Sequence, residues 1–120
     1  MIKCGVDLVR VARLAEVNPA IRARFIRRVY TQAEQQQARD DNQTLAALFA
    51  CKEAASKALG TGIGKVGWQD FEILHMESGE PIISLGGLAK TIAERKGLTD
   101  WAVSITHENG LAVAMVVAQG

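Results

Sequence analysis

Two amines and one carboxylate lie within two helical turns at Lys52, Glu53 and Lys57. A carboxylate oxygen is a preferred ligand of hard cations such as Mg²⁺, and an ammonium group can neutralise phosphate oxygens. The glycine-rich segment 60–65 follows directly and brings flexible backbone close to these side chains. The cluster could therefore hold a metal ion and phosphates. The same spacing is also typical of a solvated helix face with an ion pair, ended by a glycine turn.

Two residues elsewhere in the chain could join this chemistry, Asp7 and His107. Asp7 could supply a second carboxylate, and two carboxylates commonly hold Mg²⁺ while phosphates and waters complete its coordination. A strand-end aspartate is equally typical of a turn or a helix cap. His107 lies close to a predicted tight turn, where it could donate to a phosphate or be an ordinary edge histidine. His75 is predicted to be a surface residue without a role.

The first quarter of the chain is strongly basic. One acid, Glu16, accompanies six arginines between residues 10 and 28, which gives this stretch a local charge of +5: Arg10, Arg13, Arg22, Arg24, Arg27 and Arg28. A basic surface can bind nucleic acid, a membrane or an acidic protein, or can simply aid solubility. No aromatic platform or known nucleic-acid motif accompanies it, and its apolar stripe is modest. We therefore expect neither nucleic acid nor a membrane as the partner.

The element that carries Asp7 is predicted from strict alternation at the start of the chain. Apolar residues at every second position indicate a strand with one face in the core: Ile2, Cys4, Val6 and Leu8. Asp7 is then expected on the opposite face. Cys4 and Cys51 have no CxxC spacing, so we expect two buried free thiols and a reducing, cytoplasmic setting.

The element that carries Glu53 and Lys57 is predicted to be the longest helix, from about Thr44 to Leu59, ended by Gly60. Small residues share one side of it, which would allow close packing on a sheet: Ala46, Ala47, Ala50, Cys51, Ala54 and Ala58. Two shorter helices precede it, one starting at Asn18-Pro19 and one at the capping box of Thr31 and Glu34.

The second half of the chain is predicted to be mostly strands. They cover residues 70–74, 81–85, 101–106 and 111–117, with a helix over 88–96 and a tight turn at Asn109-Gly110. No apolar run approaches the roughly 20 residues that a membrane span needs. The prediction is a single α+β domain over residues 1–120, in which strand 1 joins a sheet built mainly from the C-terminal half.

Four segments, taken together and in order, resemble the holo-acyl-carrier-protein synthases: residues 5–9, 31–34, 49–62 and 103–107. The resemblance implies the small 4′-phosphopantetheinyl transferase fold, a mostly antiparallel sheet packed against a long central helix. It also implies a homotrimer with active sites between neighbouring subunits. The implied reaction moves 4′-phosphopantetheine from coenzyme A to a serine of an apo acyl carrier protein, requires Mg²⁺ and releases 3′,5′-ADP.

The resemblance also implies residue roles. Asp7 and Glu53 match the metal ligands, and they act in catalysis together with Lys57 beside the bond being broken. The other implied coenzyme A contacts are Lys52, Gly60, Gly62 and His107, and Lys57 is a further one. The implied docking residues for the acidic carrier are Arg10, Arg13, Arg22, Arg24 and Arg28.

One position departs from the family pattern, because Leu48 stands where the family usually has an arginine. A non-catalytic module that binds coenzyme A or an acidic protein is therefore the alternative. The sequence leaves the carrier protein and its pathway open.

Overall fold

The computed structural model describes residues 1–120 and has five strands and five α-helices. In chain order the elements are β1 (Ile2–Arg10), α1 (Ala12–Ala15), α2 (Pro19–Val29), α3 (Gln32–Ala38), α4 (Asn42–Leu59), a 3₁₀ helix (Trp68–Asp70), β2 (Phe71–His75), β3 (Pro81–Leu85), α5 (Gly87–Arg95), β4 (Asp100–Glu108) and β5 (Leu111–Gln119). The α+β class and most element positions are as predicted.

The strands form two antiparallel sheets instead of the one predicted. One sheet has the order β1-β5-β4, and the hairpin of β2 and β3 forms the other. In the first sheet Asp7 lies opposite Ala114, which lies opposite Ile105. Alternation along a strand predicts which residues share a face, but it does not predict which strand edges meet, so the division was not visible in the sequence.

Local capping explains where the helices begin and end. The Asn18 side chain accepts a hydrogen bond from the Ala20 amide at 2.9 Å, and Thr31 and Glu34 form the predicted capping box. Asp41 caps α4 through the Thr44 amide at 2.9 Å, so this helix begins two residues earlier than predicted. Gly60 ends it with φ of 87°, in the left-handed region that favours glycine.

The small-residue side of α4 packs on β1 and β5, as predicted. The approach is so close that a Cβ atom on Gly5 would lie 2.0 Å from the Ala54 carbonyl oxygen. Alanines along this side are buried, and Cys51 is buried among them. Glycine in β1 and alanine in α4 together allow the strand and helix backbones to touch.

The predicted orientation of β1 was wrong. Gly5 and Val9 face α4, with Asp7 between them, whereas Val6 and Leu8 are each 57% exposed. Cys4 is exposed as well, so its predicted burial was also wrong. The reason is the close contact with α4, which leaves no room for large side chains on that side of the strand. We call the opposite side, formed by Ile2, Cys4, Val6 and Leu8 of β1 with Val113, Met115 and Val117 of β5, the outer face.

Candidate active site

Asp7, Glu53 and Lys57 come together where α4 passes the open edge of β1. The Lys57 Nζ atom lies 3.3 Å from Asp7 Oδ1 and donates a hydrogen bond to the Val6 carbonyl oxygen at 3.0 Å. Glu53 precedes Lys57 by one turn of α4, so both side chains project from the same side of the helix. The fold therefore joins a strand residue to two helix residues that are far apart from it in sequence.

The surroundings of the Glu53 carboxyl destabilise its ionised form. Partial burial raises its pKa, the Asp7 carboxylate raises it further, and the positive charges of Lys57 and Arg13 lower it. Two carboxylates that repel each other are a donor set that a divalent cation would relieve, and Mg²⁺ is commonly bound through one or two carboxylates. No third His, Cys, Asp or Glu joins them. The pair thus fits a cation that shares its coordination with phosphates and water.

The glycine loop after α4 is tightly folded. The amides of Gly60, Thr61 and Gly62 all donate to the Ser56 carbonyl oxygen, at 3.0–3.2 Å. Gly60 and Gly62 both have positive φ, which favours glycine. The buried Ser56 hydroxyl donates to the Glu53 carbonyl oxygen at 2.7 Å, within the helix. The predicted coenzyme A contacts Gly60 and Gly62 lie in the loop that directly follows Lys57 and the end of α4.

His107 is not brought to the carboxylates within one chain. It lies on β4, opposite Ala112 of β5 and therefore two strand spacings, about 10 Å, from β1. It lines a groove of about 330 Å³ together with His75 and the first turn of α4. Sequence reasoning missed His75 as a groove residue, because the hairpin that carries it to this position is a tertiary feature.

The predicted role of Lys52 as a coenzyme A contact requires a correction. Its side chain has no exposed surface, and its Nζ atom forms an ion pair with Glu34 at 2.8 Å and donates to the carbonyl oxygens of Trp68 and Phe71. Burial lowers the pKa of Lys52, and Glu34 opposes that shift. An ammonium group enclosed in the core cannot contact a phosphate at the surface, so Lys52 leaves the predicted set of coenzyme A contacts.

The arginines of the basic segment differ in their availability. Arg22 is bound to Asp40 at 2.7 Å and to Asn42 at 2.6 Å, which ties α2 to the start of α4 and removes Arg22 from the free surface. The other predicted docking arginines are exposed: Arg10, Arg13, Arg24 and Arg28. Arg27 is exposed with them.

An apolar cavity of about 160 Å³ lies between α1 and α2, beside these arginines. Its walls are Val9, Arg13, Leu14, Val17, Ile21, Phe25 and Phe49. The Arg13 guanidinium lies 5.2 Å from the centre of the Phe49 ring, and Ile21 is 52% exposed. Ile21 and Phe25 belong to the apolar stripe of the basic segment, and the only signal of a cavity in the sequence was that this stripe is modest.

A family model described as the 4′-phosphopantetheinyl transferase superfamily matches residues 3–116. The chain belongs to this superfamily. A holo-[acyl-carrier-protein] synthase of Herpetosiphon aurantiacus is 39% identical, with both chains fully covered. One from Gloeobacter violaceus is 40% identical, covering 98% of this chain and 92% of that one.

Solved structures of the same kind superimpose over the whole chain. The holo-[acyl-carrier-protein] synthase of Helicobacter pylori, in complex with coenzyme A, has a TM-score of 0.87 at 32% identity and covers 99% of this chain and 100% of its own. The Neisseria meningitidis enzyme has a TM-score of 0.88 at 33% identity, with both chains fully covered. No helix of the present chain has the length and apolarity to cross a membrane.

Leu48, the position at which the sequence was expected to depart from the family pattern, is a core residue with 1% exposure. Its side chain packs with the residues that surround α4 and offers no charge to a ligand. The positive charges near the carboxylates are therefore those of Lys57 and Arg13.

Proposed function

We propose that this protein transfers 4′-phosphopantetheine from coenzyme A to a serine of an apo acyl carrier protein, leaving 3′,5′-ADP. The convergence of Asp7, Glu53 and Lys57 carries this proposal, since it combines a cation site with a phosphate-binding amine. The names of the relatives and the coenzyme A complex of the Helicobacter pylori enzyme support the same reaction. Residues 1–120 would act as one transferase domain, and two unpaired cysteines are consistent with a cytoplasmic protein.

Asp7 and Glu53 would hold Mg²⁺, which when bound neutralises charge on the phosphate oxygens. Lys57 would stabilise the phosphate that leaves with 3′,5′-ADP, because its ammonium group projects from the same side of α4 as Glu53. The Glu53 carboxylate would accept the proton from the Oγ atom of the carrier serine, directly or through a water molecule. Burial and the Asp7 carboxylate raise the pKa of Glu53 in the metal-free chain, and a bound Mg²⁺ would oppose that shift. Gly60 and Gly62 would let the loop approach coenzyme A without a side chain in the way.

The carrier protein would dock on α1 and α2. The exposed arginines there match an acidic partner, and the apolar cavity beside them can accept an apolar side chain from that partner. Arg13 lies at the boundary between this cavity and Glu53, so a carrier seated on the cavity would present its serine close to the carboxylates. Arg10, Arg24 and Arg28 would supply attraction from the rim.

The active form would be a homotrimer assembled through the outer face. Seven apolar side chains cover this side of the sheet, and Val6, Leu8 and Met115 are each about half exposed in the single chain. A contiguous apolar surface of this kind marks a protein contact. Assembly would also explain the position of His107. A coenzyme A molecule could place one phosphate in the His107 groove of one subunit and its reacting phosphate at the Asp7 site of the neighbouring subunit.

The deciding experiment is intact-mass analysis of an apo acyl carrier protein incubated with this protein, coenzyme A and Mg²⁺. The carrier should gain the mass of one phosphopantetheine, and both EDTA and the Glu53→Gln substitution should abolish the gain. If several acidic carriers gain no mass but calorimetry shows that coenzyme A binds, the chain is the binding module instead. Leu48 is the position that raised this alternative, but it lies in the core, where an introduced arginine would be buried without a partner, so Leu48→Arg cannot serve as a reversion test.

A further inference from the structure

The side of α4 that faces the sheet has almost no long side chains. Most of its buried side chains are alanines, which make short and non-directional contacts. Helices normally lock in rotation when long side chains interdigitate as ridges and grooves. A surface of alanines supplies little of this locking, yet Glu53 and Lys57 must point at Asp7 for the site to exist. Apolar packing on this side therefore restrains the rotation of α4 only weakly, and the remaining restraint comes from the long buried side chains of the helix: Leu45, Leu48, Phe49, Lys52 and Leu59.

The buried pair of Lys52 and Glu34 has the directional contacts that the alanines lack. Lys52 Nζ contacts Glu34 Oε1 and two main-chain carbonyl oxygens, which uses all three donors of an ammonium group. The Glu34 carboxylate also accepts from the Thr31 amide at 2.9 Å and the Ile73 amide at 2.8 Å. No buried polar side-chain atom lacks a partner. α3, the 3₁₀ helix and β2 are thus all bonded to one side chain of α4.

Consecutive residues of an α-helix project about 100° apart, so the direction of Lys52 sets the direction of Glu53. Lys57 follows Glu53 by one turn and shares that direction. A misplacement of about 1 Å at a reacting centre can cost on the order of a hundredfold in rate. A small rotation of α4 would therefore matter for the reaction even if it hardly changed the stability.

We propose that the Lys52–Glu34 pair is a positioning pair, which fixes the rotation of α4 and so holds Glu53 and Lys57 toward Asp7. Setting the register of packed helices is the best-supported use of buried polar groups. The proposal assigns Lys52 no contact with substrate. Its kinetic part rests on the proposed function, whereas its geometric part concerns the site itself.

The test replaces both charges with apolar groups in a Glu34→Leu/Lys52→Met double variant, because exchanging a whole buried pair is often nearly neutral for stability. With saturating carrier and coenzyme A, and with circular dichroism confirming the fold, we expect kcat to fall at least tenfold. In the presence of coenzyme A, Mn²⁺ followed by electron paramagnetic resonance should bind at least fivefold more weakly. Ile92→Ala in α5 is the control: it loses stability, yet should keep both values when measured well below its Tm.

A double-mutant cycle separates positioning from simple stabilisation. Lys57→Ala should lower kcat much less in the double variant than in the wild type, because Lys57 is already displaced there. A folded double variant with wild-type kcat and Mn²⁺ affinity would overturn the proposal, as would independent, multiplying effects of the two changes.

If the double variant does not fold, Glu34→Asp provides the test, since it keeps the charges but shortens one arm of the pair. A folded Glu34→Asp protein should have a lower kcat, and an unchanged kcat would refute the positioning role. If the wild-type protein itself transfers nothing, the proposed function fails, and the Mn²⁺ measurements still decide the question of positioning.

Discussion

At the scale of single residues, Glu53 is less stable in its ionised form than an ordinary glutamate. Its pKa in the folded chain lies above the ordinary value of 4.5, so folding favours the proton-bound form. The contribution of this group to stability is therefore present at low pH and declines as the pH rises from 4.5 through the raised pKa. Near neutral pH the ionised carboxylate lowers the stability of the fold, and it is this form that the proposed reaction uses.

We expect Glu53→Gln to lower kcat by at least a hundredfold and to leave the Tm at pH 7 unchanged or higher. The amide keeps the shape of the side chain but neither repels Asp7 nor accepts a proton. Differential scanning calorimetry and the carrier mass assay measure the two effects. An inactive variant with a markedly lower Tm would indicate a structural role instead.

The pKa of Glu53 should also respond to its neighbours in opposite directions. Carbon-13 NMR titration of the metal-free protein should show a lower Glu53 pKa in Asp7→Asn, where a repelling charge is removed, and a higher one in Arg13→Ala. In the assay, Arg13→Ala should accordingly lose activity at a higher pH than the wild type as the solution is acidified. Equal shifts in both variants would contradict the electrostatic account.

At the scale of elements, Gly5 determines how closely β1 approaches α4. A Cβ atom there would meet a main-chain carbonyl oxygen at 2.0 Å, and a main-chain atom cannot move aside as a side chain can. We expect Gly5→Ala to lower the free energy of unfolding by about 3 kcal/mol. Urea denaturation measures this, with Gly86→Ala as the control, because nothing lies within 4 Å of its added Cβ atom. Equal stability of the two variants would show that β1 can shift away from α4.

Sequence reasoning predicted best those features that depend on neighbouring residues. Asn18, Thr31 and Gly60 end or begin helices through contacts within a few positions, so their roles were readable. The buried face of β1 was not predicted correctly, because nothing in the single chain covers the apolar face of this strand. Lys52 was misassigned because its partner Glu34 belongs to another helix, and the packing that brings the two together is a tertiary feature. Periodicity placed Asp7 and Glu53 on their elements, and only the family resemblance placed them together.

At the scale of the whole molecule, the basic surface of α2 and the outer face lie in different parts of the chain and allow separate tests. Reversing two exposed charges with Arg24→Glu/Arg28→Glu should raise the KM for the carrier at least tenfold while changing kcat little. Salt should raise the wild-type KM in the same way, because it screens exposed charges. Arg95→Glu, at an exposed position of α5, is the control. A reversed pair with an unchanged KM would rule out α2 as the docking surface.

Assembly can be tested with one substitution on the outer face. Met115 lies opposite Val6 in the sheet, and a charge buried there would be costly, so Met115→Glu should dissociate the proposed trimer and lower activity with it. Light scattering after gel filtration compares the mass with that of the 12.9 kDa chain. Ile82→Glu, a similarly exposed apolar residue on β3, should leave the mass unchanged. A wild-type protein that elutes as a monomer would contradict the proposed assembly.

The outer face also carries a chemical reporter. Cys4 lies among its apolar residues, whereas Cys51 is buried and its pKa is raised to about 12, which makes its thiol unreactive. A maleimide should therefore add once to each free chain, at Cys4, and slowly or not at all to chains whose outer faces are covered. The rate of a single alkylation, followed by mass, would then measure subunit exchange in the native protein without any engineered label.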